Sequence, residues 1–287
     1  MFRTALVAID HSAAQGPLLD CLTDLRDMGV ARVVLIHVIR LGYGQGAEYG
    51  NRDAFEDWLE GCAAPLRDAG LDVEIDVRAA GEVTQEILEA AREHGADLIV
   101  VGSRGQTMLS GLFLGSVARE LIRLSRLPVR LEWIEANGED GAEACERACH
   151  GGLQRVLLAT DFSPHARPAE AAAAELAGRA GIVDILHVVN PAEAERYTRW
   201  RVMARAALDT IAHEIAAAGG RAEVHLAEGK PSDEIARLAG ERGADLILLG
   251  KHGQNWVESM AIGSTAAALC EIARRPVLTV PLKIDEV

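Results

Sequence analysis

At 287 residues, with 49% hydrophobic and 25% charged side chains, the chain is long enough for about two domains, each with a core of its own. Its formal charge of −14 argues against nucleic acid and anionic membrane as partners, so a phosphate ligand would have to be held by local backbone geometry. No apolar run reaches the roughly 18 residues that span a bilayer. The start, Met1 to Asp10, has no signal-peptide layout, and five scattered cysteines (21, 62, 145, 149 and 270) fit reduced thiols in a cytoplasm.

In chain order, Arg3–Ile9 reads as a strand ending in Asp10-His11-Ser12, and residues 13–28 as a helix stopped by Gly29. Arg32–Ile39 is a second strand, followed by a loop over Leu41–Asn51 and a helix over Arg52–Asp68 ended by Gly70. Asp72–Arg78 alternates apolar and charged residues, and Gly81 leads into a helix reaching His94. Ala96–Val101 is a buried strand, Ser116–Leu124 a helix, and Pro128–Trp133 a last strand. Strand and helix alternate, as in a parallel α/β sheet. Ala5–Ile9, Val33–Val38 and Leu98–Val101 are continuously apolar, as strands covered on both faces are. Val73–Val77 and Val129–Trp133 alternate and read as edge strands with one wetter face. This predicts the strand order 3-2-1-4-5, with a ligand crevice at the switch point between strands 1 and 4.

The pattern then repeats at a nearly constant offset. Asp10 recurs as Asp161, His37-Val38 as His187-Val188, Gly95-Ala-Asp97 as Gly243-Ala-Asp245, and Pro128-Val129 as Pro276-Val277. Two copies of one fold are expected, domains at 1–134 and 153–287, joined by a Gly-, Glu- and Ala-rich linker at 135–152.

The centre of each copy is a glycine loop between strand and helix. The first is Gly102-Ser-Arg-Gly105, nine residues, then Gly115-Ser116-Val117; the second is Gly250-Lys-His-Gly253, nine residues, then Gly263-Ser264-Thr265. The early glycines let backbone approach a ligand, and the late ones open a helix whose free N–H groups suit an anion. The helix after Gly115 carries no acid in its first turn, Val-Ala-Arg, to neutralise the positive dipole end. Arg104, Lys251 and His252 lie between loop glycines, where they either meet phosphate oxygens or stay solvated. Asp10 and Asp161 follow strand 1 at the switch point, which favours ligand contact over a plain turn. His37 and His187 are expected to make structural hydrogen bonds.

These residues resemble the universal stress protein family in its tandem, ATP-binding form. The family carries G-x2-G-x9-G-[ST] after strand 4, a strand-1 Asp with Ser two residues on (Asp10/Ser12, Asp161/Ser163), His-Val closing strand 2, and a G-x-P-x-x-x-I turn, met in full by Gly229 through Ile235. The first half departs from it in Val83, where the family often has Pro, and in a charged strand 5.

The resemblance implies two tandem Rossmann-like domains of the adenine nucleotide alpha hydrolase-like type, packed as a pseudo-dimer and binding ATP, ADP or AMP. Asp10 and Asp161 would bond the ribose or adenine end, and the backbone at Val38 and Val188 would contact adenine. Gly102 and Gly250 would pack on ribose. Gly105, Gly115, Ser116 and Val117, with Gly253, Gly263, Ser264 and Thr265, would hold the phosphates, joined by Arg104. Magnesium would enter only through those phosphates, and no catalytic residue is implied. Such a protein is expected to act as a nucleotide-dependent regulator of the stress response in the cytoplasm, with a protein partner and with room for a homodimer. The rival readings are a slow ATPase or nucleotidyl-transfer enzyme, and a scaffold with empty pockets. The uncharged fifth strand of the second half, Pro276–Val280, leads to the further expectation that the halves dock near their fifth strands.

Three other motifs weigh less. Gly42-Tyr-Gly44-Gln-Gly46 has a misplaced third glycine for a dinucleotide fingerprint and reads as a loop. No G-x4-G-K-[ST] occurs, which excludes a P-loop. Cys145-x3-Cys149-His150 lacks a partner pair for metal.

Overall fold

The computed structural model describes residues 2–40, 52–104, 114–136, 145–147, 152–196, 199–254 and 261–282. The chain divides into two compact units, Met1–Arg147 and Ala148–Val287.

The first unit runs β1 (Thr4–Ala8), α1 (Gln15–Leu22), β2 (Arg32–Arg40), α2 (Arg52–Asp68), β3 (Asp72–Ala80), α3 (Val83–Glu93), β4 (Leu98–Gly102), α4 (Ser116–Leu124) and β5 (Val129–Glu132). All ladders among these strands are parallel and give the order β3-β2-β1-β4-β5, as the patterning predicts. Val7 sits at its centre, opposite Leu35 on one side and Val100 on the other, and all three are fully buried. An apolar residue at every position of β4 is what a strand covered on both faces requires. Helix α2 packs against β3, while α3 and α4 pack against each other.

The second unit repeats this with β8 (Arg155–Ala159), α5 (Arg167–Ala177), β9 (Ile182–Val189), a short α6 (Pro191–Arg196), α7 (Trp200–Ala217), β10 (Ala222–Glu228), α8 (Pro231–Arg242), β11 (Leu246–Gly250), α9 (Ser264–Ile272) and β12 (Val277–Val280). Its parallel order, β10-β9-β8-β11-β12, is that of the first unit. Between the two sets in sequence, β6 (Ile134–Ala136), which starts one residue before the expected linker, pairs antiparallel with β7 (Cys145–Arg147) inside it.

The repeated Gly-Ala-Asp has a structural purpose. Gly95 (φ 62°) and Gly243 (φ 65°) turn the chain after α3 and α8 in a left-handed conformation that favours glycine. Asp97 then accepts hydrogen bonds from the Arg3 and Thr4 N–H groups at 2.9 to 3.2 Å, and Asp245 accepts one from the Arg155 N–H at 2.8 Å. Each acid closes the amino-terminal end of its sheet, away from the glycine loops.

Two expectations need correction. The helix over 13–28 is α-helical only to Leu22 and continues as a 3-10 helix over Thr23–Met28, ending at left-handed Gly29. Thr23 Oγ1 donates to the Asp20 carbonyl at 3.3 Å, a local bond that competes with the α-helical ladder. Strand β5 has no wetter face: Arg130 and Glu132 are 3% and 2% exposed. Burial is tolerated because Arg130 Nε donates to Glu132 Oε1 and Nη1 donates to Met28 Sδ at 2.8 Å, so neither charge is left bare.

Candidate functional site

In the second unit, the predicted residues come together around one cavity. Its volume is about 820 Å3, and it opens where β8, β9 and β11 end. Asp161, Val188, Gly250, Gly253, Gly263, Ser264 and Thr265 all border it. Two close approaches explain the glycines. A Cβ on Gly250 would lie 2.6 Å from the His165 carbonyl oxygen, and one on Gly253 would lie 2.5 Å from Asp161 Oδ2. That same Oδ2 accepts the Gln254 N–H at 2.8 Å, and Oδ1 accepts the Ser163 N–H at 3.0 Å. Asp161 therefore fastens the start of the glycine loop to the end of β8.

The cavity has two chemically different ends. One is the start of α9, where Gly263 is an extended N-cap, no side chain caps the helix, and the first turn holds no acid. By contrast, α8 opens with Asp233 and Glu234. Lys251, only 6% exposed, also borders the cavity, and its carbonyl receives the Gly263 N–H at 2.9 Å. This end suits an anion. The other end is apolar and aromatic, built from Phe162, Val188, Trp200, Met203, Ala204 and Ala207.

Phe162 stacks on His187 with centroids 4.4 Å apart and planes 29° from parallel. The His187 Nδ1–H donates to the Thr160 carbonyl at 2.9 Å, the expected structural bond. Phe162 holds φ at 62°, unusual for a non-glycine residue. Thr160 Oγ1 supports that turn by accepting the Phe162 N–H at 3.0 Å while donating to Glu170 Oε1 at 2.5 Å. Burial raises the Glu170 carboxyl, and the Thr160 hydroxyl only partly counters it.

The first unit sets up the same frame with different contents. Asp10 Oδ1 accepts the Ser12 hydroxyl at 2.7 Å. Val38 is half-buried near the end of β2. A Cβ on Gly102 would lie 2.9 Å from Ile134 Cδ1. Gly115 is the extended N-cap of α4, ahead of Ser116 and Val117, with no acid in the first turn. The Gly115 N–H donates to the Ser103 carbonyl at 2.9 Å, matching Gly263 and Lys251. Arg104 Nε donates to the Ile134 carbonyl at 2.9 Å. Gly105 lies outside the described residues, as do the 42–46 glycines, Cys149 and His150.

The His37 Nδ1–H donates to the Ile9 carbonyl at 2.9 Å, and burial pushes its ring below the ordinary histidine range. Phe55 stacks on it at 4.7 Å, and Trp58 meets both His37 and His11 edge-on at 5.1 Å.

Away from either crevice, Asp184, Glu223 and His225 bring three potential metal-ligating atoms within 4.8 Å. Arg155 and Arg242 also reach Asp184, at 2.7 and 3.2 Å, and two guanidiniums in that position disfavour a cation. Burial alone would raise the Asp184 carboxyl, but hydrogen bonds from His225, Arg155 and Arg242 outweigh it and hold it at about 2. The cluster reads as an ion-pair network bracing β9 and β10.

With the geometry described, comparison with known proteins decides the family. The model of the universal stress protein family matches twice, over residues 1–131 and 152–281. The chain belongs to that family. A universal stress protein of Mycolicibacterium smegmatis is 26% identical over 96% of both chains, so the tandem arrangement is shared along the whole length. Universal stress protein YxiE of Bacillus subtilis is 32% identical and matches 45% of this chain with 97% of its own length. The crystal structure of a universal stress protein from Archaeoglobus fulgidus superposes with a TM-score of 0.74 at 25% identity, covering 97% of this chain and 98% of that one. Among the described residues, no helix is long and apolar enough to cross a membrane.

Sequence reasoning missed the wall of α7. Ala204 and Ala207, three residues apart, look like ordinary core alanines until they are set against the corresponding helix of the first unit.

Proposed function

We propose that this universal stress protein binds an adenine nucleotide, ATP in the first instance, and uses its occupancy to regulate a stress response. The observation that carries this is the division of the 820 Å3 cavity into an aromatic, apolar end and an acid-free helix start. A flat base suits the first and a phosphate chain the second.

In this reading Phe162, Val188 and the α7 wall receive the base, with Asp161 at the ribose and Gly250 packed beside it. Gly253, Gly263, Ser264 and Thr265 supply N–H and hydroxyl donors to phosphate oxygens, and Mg2+ enters only with those phosphates. By the sequence repeat, the first half carries Asp10, Val38, Gly102, Arg104, Gly105, Gly115, Ser116 and Val117 at the corresponding positions. Asp161, the carboxylate at the crevice, already accepts two backbone N–H groups, which makes it a positioned acceptor rather than a base aimed at water. Regulation without rapid turnover follows, in a cytoplasmic protein whose occupied and empty forms are read by a protein partner or a second copy.

Mass spectrometry of ligand released from purified protein tests the reading. Adenine nucleotide is the expected result, and its absence both from that extract and from calorimetric titration with ATP overturns it. Hydrolysis is expected to run far below the roughly 10 per second of a median enzyme. Turnover near that rate, abolished by Asp161→Asn, would establish an enzyme instead.

A further inference from the structure

The internal repeat allows the two crevices to be compared residue by residue. Left-handed Gly70 (φ 85°) and Gly219 (φ 88°) follow α2 and α7 and fix their alignment. Leu59 and Leu208 then coincide, both fully buried, as do buried Leu66 and Ile215. In this alignment Phe55 and Trp58 of the first unit stand where Ala204 and Ala207 border the cavity of the second.

The replacement is held in place. Phe55 lies on His37 at 4.7 Å, with planes 26° from parallel, taking over the covering role that Phe162 has on His187. His11, which aligns with Phe162, instead meets Trp58 edge-on. The indole is pinned at its far end, because Trp58 Nε1–H donates to Gln15 Oε1 at 3.2 Å, and Gln15 Nε2 in turn donates to Cys62 Sγ at 3.0 Å. Rotating Trp58 away would break that bond and its ring contacts together.

We infer that the chain has one nucleotide-binding half, the second, and that Phe55 and Trp58 occupy the base position in the first. An aromatic side chain of this kind fills about 150–250 Å2 of contact surface, enough for each to take the place of a flat base. In the first half the tight approach of Gly102 to Ile134 gives that glycine a local structural role, and the Gly115 N–H bond to the Ser103 carbonyl shapes the helix start without requiring glycine. The inference rests on the adenine-nucleotide reading and specifies its stoichiometry.

The test counts ATP bound per full-length chain, by calorimetry and native mass spectrometry, for wild type and two variants. Wild type is expected to take one. Ala207→Trp, which places an indole in the second cavity, is expected to take none while keeping its circular dichroism. Phe55→Ala/Trp58→Ala is expected to take two. Two ATP per wild-type chain, or full binding by folded Ala207→Trp, overturns the inference and leaves the nucleotide reading intact. A folded double variant that still takes one removes the two aromatics from the role assigned here. No ATP on any form overturns the nucleotide reading itself. Should the double variant fail to fold, wild type and Ala207→Trp still decide.

Discussion

The strand-2 histidine is covered by a ring in both halves, but the ring arrives by different routes. Over His37 it comes from α2, as Phe55; over His187 it comes from the turn after β8, as Phe162 at φ 62°. A left-handed non-glycine residue costs about 1–3 kcal/mol. The second half offsets that through Thr160 Oγ1, the Phe162–His187 stack and the Asp161 turn. A strained turn that brings its own ring leaves the neighbouring helix free to present alanines, and the space opens. A relaxed turn takes its ring from the helix, and Phe55 and Trp58 then stand where the second half has Ala204 and Ala207. Small local choices thus separate two copies of one fold, and the halves also differ in how their charges are buried.

The largest expected effect probes that burial. Asp184 is fully buried between Arg155, Arg242 and His225, whereas Glu74 of the first half, beside Arg32 and His94, is 46% exposed. Asp184→Asn leaves two guanidiniums facing a neutral group and should cost the second half about 3–5 kcal/mol. Glu74→Gln should cost the first half under about 1 kcal/mol. Hydrogen exchange in β9 and β2 reads the two halves separately, and equal losses would erase the distinction.

Next in size is loop geometry. Gly253→Ala drives a Cβ against Asp161 Oδ2, while Gly115→Ala would meet the Ser103 carbonyl oxygen at an ordinary 3.6 Å. Loss of one charge-assisted contact, about 1.5–3 kcal/mol, should weaken ATP binding roughly tenfold to a hundredfold in Gly253→Ala. Gly115→Ala should leave it unchanged. Calorimetry compares them directly, and equal weakening would show that both loops bind.

The smallest effect is acid sensitivity. The folded state holds His37 below its ordinary value, so the unfolded chain takes up that proton first. The contribution of neutral His37 to the first half is fully present above about pH 6.5 and is lost as pH falls below that. Asp184 sits at about 2 instead of 3.8, so its contribution is present above that ordinary value and disappears only as pH falls from there toward 2. Exchange near pH 5 should therefore loosen β2 before β9. The reverse order would count against the buried, neutral His37.

Much of this was legible in the residues. Apolar runs at Leu98–Val101 and its repeat set the strand order, because a strand covered on both faces has no polar choice to make. The glycine spacing located the crevice of the second half down to Thr265, since only glycine fits beside His165 and Asp161. The burial of Arg130 and Glu132 was not legible, because alternation looks the same whether a charge meets water or a partner two residues away. Nor was the role of Trp58: an amphipathic helix accepts an aromatic on its inner face in any protein. Its meaning depends on what Ala207 does in the other copy, which is a tertiary fact.

Trp200 borders the second cavity, with the Arg201 guanidinium 4.7 Å from its ring, whereas Trp58 and Trp133 belong to the first unit. Indole emission responds to stacking and to nearby charge, so each half carries a built-in optical label. A ligand settling into the second cavity should dim or shift the second-unit emission, to which Trp200 and Trp256 both contribute, and leave the first-unit signal steady. Events in one half of an otherwise duplicated molecule can thus be followed without attaching a dye.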